Sequence, residues 1–166
     1  FKQVEFLRKY KKVVNWYIDN RMIENGELGG GLSDDGDYVA TWFTLVQMDS
    51  DAEKVKEAIF RNTEAFYQQG MFTNGLCSIQ ADELHSSEEG LVSLSSCMNA
   101  EFGNPLWLER AMETARQLGW LTGINKAGHR HIKSTYYNGS QMATEEPWGG
   151  QQASSYIAIG PSWQVA

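Results

Sequence analysis

Residues 51–70, Asp51-Ala-Glu-Lys-Val-Lys-Glu-Ala-Ile-Phe-Arg-Asn-Thr-Glu-Ala-Phe-Tyr-Gln-Gln-Gly70, decide the fold class. Val55, Ala58, Ile59, Ala65 and Phe66 recur at helical spacing, with Glu, Lys, Arg and Gln between them. A period near 3.6 turns all five to one face, so residues 51–69 are read as an amphipathic helix. Gly70 is a natural stop, since a helix often ends on a residue in left-handed geometry.

The same period extends outward. Val4, Leu7, Val14, Tyr17 and Ile18 predict a helix over 2–22, whose basic residues Lys2, Arg8, Lys9, Lys11 and Lys12 read as a solvated face. Asn25-Gly26 and Gly29-Gly30-Gly31 break it. Ser33 or Asp34 can cap a further helix that turns Val39, Trp42, Phe43 and Val46 inward, with Asp37 in its acidic first turn. Asp49-Ser50-Asp51 is a short connection. Later helices are expected from about Leu84 to Phe102, with Leu91, Leu94 and Met98 on one face, and after Gly103-Asn104-Pro105, with Leu108, Ala111, Ala115 and Leu118 on one face. After Gly119 the chain is rich in glycine, and residues 153–159 suit a short helix or a strand.

The expected fold is therefore all-α: one domain over 1–166 made of helical hairpins, with short and long connections alternating. Such hairpins build bundles and (α/α) toroids, and no fixed-period repeat points to a solenoid. The start at Phe1 inside a helical pattern suggests a processed chain or a segment of a longer one.

Composition narrows function. A 42% hydrophobic content suits a folded domain, and six Trp with seven Tyr supply rings that fill cores or stack on sugars. The net charge of -7 argues against nucleic acid bound through a broad basic surface. No apolar run reaches membrane-spanning length. Cys77 and Cys97 are read as two buried thiols rather than a disulfide framework.

Chemistry-bearing residues fall in the loops. Lys126, His129, Arg130, His131 and Lys133 form a basic island in an acidic chain, followed by Tyr136 and Tyr137. Imidazole exchanges protons near neutral pH, guanidinium pairs with a carboxylate, and a phenol can protonate a leaving oxygen. His85 precedes Glu88 and Glu89 by three and four residues, a spacing at which a carboxylate can orient an imidazole on a helix. Glu27, Asp34, Asp35 and Asp37 surround the glycine loop and suit sugar hydroxyls, acid–base work or a calcium ion. Helix capping accounts for one of these carboxylates, not for Asp34 and Asp35 together. Trp148, beside Glu145 and Glu146, suits sugar stacking or loop packing. No HExxH or CxxC spacing supports a zinc site.

Four stretches, Asn25-Gly-Glu-Leu-Gly-Gly-Gly-Leu-Ser-Asp-Asp35, His85-Ser-Ser-Glu-Glu-Gly90, Gly103-Asn-Pro105 and Gly128-His-Arg-His-Ile-Lys-Ser134, come in this order over about two-thirds of the chain. In them the chain resembles bacterial (α/α)-toroid polysaccharide lyases that cleave next to uronic acids, such as the rhamnose–glucuronate lyases. The resemblance implies part of a toroid, a carbohydrate cleft at one end, an acidic polysaccharide or oligosaccharide as partner, and a secreted or periplasmic setting. On this expectation Arg130 and Lys133 offset the uronate charge. His85, His129 or His131 is the base, and Tyr136 or Tyr137 the acid. Glu27, Asp34, Asp35 and Trp148 bind sugar, and no metal or other cofactor is assigned beyond the calcium option. The competing readings are a glycoside hydrolase using Asp34 or Asp35 with Glu88, and a carbohydrate-binding helical fragment without activity.

Overall fold

A computed structural model describes residues 2–49, 51–77, 92–124 and 126–132, with the backbone alone at 32, 33, 118, 121, 131 and 132. Most described residues are helical: α1 (Lys2–Asn20), α2 (Leu32–Ala40), α3 (Phe43–Met48), α4 (Glu53–Gln68), α5 (Leu94–Ala100) and α6 (Pro105–Gln117). Two small antiparallel hairpins complete the array, β1 (Phe72–Thr73) with β2 (Leu76–Cys77), and β3 (Thr122–Ile124) with β4 (Arg130–Ile132).

Helix α4 is the centre. Val55, Ala58, Ile59, Ala65 and Phe66 are all buried, as their spacing predicts. Gly70 ends the helix with φ 72°, where the Met71 N–H reaches back to the Phe66 carbonyl at 2.9 Å. A side chain at Gly70 would strain that left-handed turn. Val14, Val39, Trp42, Leu45, Leu94 and Trp107 close the core around α4.

Several expectations are corrected. The single helix expected after the glycine loop is divided at Thr41 and Trp42 into α2 and α3. Both residues keep helical dihedrals, but the Thr41 hydroxyl donates to the Tyr38 carbonyl at 2.7 Å. The Thr41 and Trp42 N–H groups then bond three residues back, not four, which tightens the turn. Second, α2 starts at Leu32 behind Gly31, with no side-chain cap. Third, the inward face of α6 is shifted: Trp107 and Thr114 are buried, whereas Leu108 is 48% exposed. Trp107, the largest apolar side chain of this helix, takes the inward position, its ring seated on Phe60 at 5.2 Å. On α1, Val4 is likewise exposed, and Lys11 leaves the solvated face to pair with Asp49 at 2.9 Å and Asp51 at 3.2 Å. Residues 84–91 and 153–159, where other expectations fall, lie outside the described residues.

Cross-helix pairs give the helix directions. Tyr17 meets Tyr38 and Tyr10 meets Thr41, so α1 and the α2–α3 path run oppositely. Asp19 pairs with Lys54, and Gly26 lies against Asn62, so α1 and α4 run the same way. Thr63 meets Cys97 while Glu101 acts electrostatically on Lys56, so α5 runs opposite to α4. Phe60–Trp107 and Glu64–Arg110 then make α6 parallel to α4. The order is up, down, up, down, up. The short junctions 49–52 and 101–104 therefore share one end. The chain leaves α1 at 21, leaves α4 at 69 and leaves α6 at 118 toward the other end.

Candidate functional site

The first junction at this second end is the glycine loop. Gly26 has φ 86°, and its Cα packs so closely on α4 that a Cβ would lie 2.7 Å from the Asn62 backbone. Asn62 Nδ2 donates to the Gly26 carbonyl at 3.0 Å. Asn25 forms an Asx turn, its Oδ1 accepting from the Glu27 N–H at 3.1 Å, and its amide reaches the Glu27 carboxylate at 3.4 Å. Glu27 is thus half-buried and oriented by its neighbour.

Asp35 closes the loop. Its Oδ2 accepts from the Leu28 N–H at 2.6 Å and the Gly29 N–H at 3.1 Å, and Oδ1 accepts from the Gly30 N–H at 3.1 Å. The residue is 6% exposed. Charged acceptors make the stronger hydrogen bonds, so this carboxylate is a loop clamp. The expectation that it also binds sugar meets two oxygens already engaged with the backbone. Asp34, one residue earlier on α2, is exposed. The helical start at Leu32 sends consecutive carboxylates in different directions, about 100° apart.

The third junction carries the basic island. Leu118–Leu121 forms a single 3₁₀ turn after α6, and β3 and β4 pair as Thr122 with Ile132, Gly123 with His131 and Ile124 with Arg130. Opposed strand residues share a face, so Arg130 lies on the face of Ile124 and Thr122. Its guanidinium donates to Thr122 Oγ1 at 2.8 Å. Lys126, His129 and Arg130 are all exposed. His131 is in the strand, directly across from a residue without a side chain. His129 precedes the strand.

His85, Lys133, Tyr136, Tyr137 and Trp148 lie outside the described residues. Of the expected site residues that are described, Glu27, Asp34 and Asp35 sit together on the first junction. His129, Arg130 and His131 sit together on the third. Topology brings both groups to one end of the array. Among the described residues, no group of three or more His, Cys, Asp or Glu is placed to hold a metal ion, so the calcium option gains no ligand set there.

Neither cysteine belongs to this site. Both are buried and unbridged, as read from the sequence. Burial pushes the Cys97 thiol up to about 12, although its bond to Thr63 works in the other direction. A thiol held protonated is a poor nucleophile. Burial also raises the Tyr67 hydroxyl well above its ordinary range, against the lowering influence of Arg110, whose guanidinium lies 3.7 Å from the Tyr67 ring.

Trp120 was not anticipated. It is 55% exposed in the 3₁₀ turn, two residues from the threonine that receives Arg130. Its signal in the sequence is its place between Gly119 and Thr122-Gly123, where the helical period stops.

Comparisons with protein-family models, with curated proteins and with solved structures found no match to this chain.

Proposed function

We propose that this chain is part of an (α/α) toroid and serves a polysaccharide lyase that cleaves next to a uronic acid by β-elimination. The observation that carries this reading is the alternation of helix direction, which gathers the long, polar junctions at one end. Function concentrates in loops held by a rigid scaffold. The toroid is further supported by the first and last of the described helices. Phe6, Val13 and Trp16 of α1 and Leu108 and Met112 of α6 are exposed, as on helices that pack against further hairpins of a ring.

β-Elimination removes the proton beside a uronate carboxylate. The carboxylate's charge opposes the carbanion that forms, so the site must first offset that charge. Arg130 and Lys133 take this role. His129, His131 or His85 removes the proton, and Tyr136 or Tyr137 returns one to the leaving oxygen. Glu27, Asp34 and Trp148 contact sugar, and Asp35 keeps the first two in position by holding the loop.

Elimination leaves a carbon–carbon double bond conjugated to the carboxylate, which absorbs in the ultraviolet, whereas hydrolysis leaves none. Uronate-rich polysaccharides incubated with the protein should therefore give shorter chains and rising absorbance. Arg130→Ala and His131→Ala should each lower the rate by about 10²- to 10⁴-fold, the range for lost charge stabilisation or proton transfer. Shorter chains without absorbance would replace the lyase by a hydrolase. Binding without any shortening would leave only a carbohydrate-binding module.

A further inference from the structure

We infer that Trp120 and Arg130 form one sugar subsite at the root of the β3–β4 hairpin, selective for a sugar that carries a carboxylate. This deepens the proposed function and rests on it for the substrate class. An indole that is 55% exposed gives up much of the burial that usually keeps Trp in a protein. Its flat face is what a sugar ring's apolar C–H face stacks on. Arg130 is exposed, yet its guanidinium is tethered to Thr122 Oγ1 at 2.8 Å, two residues from Trp120. That bond uses one of five N–H donors and leaves the fork able to take a carboxylate through two parallel bonds.

Pre-organisation favours the pairing. Thr122 also donates its hydroxyl to the Gly119 carbonyl at 2.8 Å, so the same oxygen links the 3₁₀ turn that bears Trp120 to the strand that bears Arg130. The turn that bears Trp120 and the Arg130 guanidinium are therefore tied to one another by a single side chain. Lys126 and His129, both exposed in the same hairpin, add positive or ionisable character and attract an anionic chain. The division of labour is stacking by Trp120, charge recognition by Arg130 and alignment by Thr122.

The test uses the full chain labelled with ¹⁵N at its indoles, and the Trp120→Phe spectrum identifies the Trp120 signal. The probes are a short cellouronic acid oligosaccharide and the neutral cello-oligosaccharide of equal length, which share a backbone and differ in the carboxylates. The Trp120 signal should move with both, at about tenfold or more higher affinity for the acidic one, the scale of a charged hydrogen-bonded pair. Arg130→Gln should remove that preference and keep the neutral binding. Thr122→Val should reduce the preference while the hairpin stays folded, as judged by unchanged backbone signals. A Trp120 signal unmoved by the acidic oligosaccharide overturns the subsite, as does a preference that survives Arg130→Gln. Lyase activity with an unmoved Trp120 signal rejects the subsite alone. A shift with the charge preference intact, but no turnover of any uronate polysaccharide, rejects the lyase reading alone.

Discussion

Replacing Asp35 by Ala tests whether the acidic pair after the glycine loop is divided between structure and chemistry. The carboxylate accepts from three backbone N–H groups, at 2.6, 3.1 and 3.1 Å, and is 6% exposed. The three donors do not lose equally. Leu28 is buried, so its N–H is left without its acceptor, a loss of about 1–3 kcal/mol. Gly29 and Gly30 are exposed, so their N–H groups rehydrate and each loses about 0.5 kcal/mol. The sum is about 3 kcal/mol, or about 6–12 °C in Tm for a chain of this size. Asp35→Asn keeps an acceptor oxygen but loses the charge and one acceptor, and should cost about half as much. Urea unfolding followed by circular dichroism gives the stability change, and amide exchange at Leu28 reports the loop directly. Asp34→Ala, one residue away and exposed, should alter stability by less than about 0.5 kcal/mol. A cost below about 1 kcal/mol for Asp35→Ala, with Leu28 exchange unchanged, would refute the clamp.

Gly26→Ala forces a Cβ to 2.7 Å from the Asn62 backbone at a positive φ, and should destabilise by about 3 kcal/mol or more in the same unfolding assay. Cys77 and Cys97 should both resist a thiol reagent in the folded protein and react only after denaturation, so one fast-reacting thiol at mildly alkaline pH would contradict their burial. The Lys11 hydrogen bond, then the Asp51 N–H, hold Asp49 below the usual carboxylate range. Its stabilising contribution is present above the ordinary carboxylate pKa, near 4, and is lost as pH falls through the lowered value. Acid unfolding profiles should show a smaller loss of stability below about pH 4 in Asp49→Asn than in the parent chain, and identical slopes would discount the pair.

Helix α4 was legible because its five inward residues, its polar back and its terminal glycine all agree. Helix α6 was misread in part: Ala111 does pack against the core, but Leu108 and Ala115, which continue the same apolar stripe, are exposed. Burial there is decided by Trp107 and by Arg110, whose guanidinium packs on Tyr67 and pairs with Glu64 at 2.7 Å, and a hydrophobic pattern counts Arg110 as surface. The break between α2 and α3 was hidden because its agent is a threonine hydroxyl, not a glycine or proline. The carboxylate cluster was visible, but composition cannot say which of Asp34 and Asp35 turns inward. That depends on the helix starting at Leu32, a matter of one residue. The β3–β4 hairpin has three-residue strands, too short for alternation to stand out against a glycine-rich background.

The convergence of distant residues at one end follows from the short junctions rather than from the long ones. A tight connection reverses the chain, so 49–52 sets α4 against α3, and 101–104 sets α6 against α5. Among the described helices, the chain leaves α1, α4 and α6 toward the opposite end. The closed end holds structural ties such as Lys11 with Asp49 and Asp51. The junctions at the open end are longer and carry, beside ties of their own such as the Asp35 clamp, a glycine loop, hairpins and exposed charge. Glu27 and Asp34 are separated from Arg130 by most of the described chain, yet they share this end because α1 and α6 both run parallel to α4. Lengthening a short junction should therefore loosen the scaffold, whereas lengthening the turn between β3 and β4, at Lys126 to Gly128, should leave the core intact and alter only what the basic hairpin can reach.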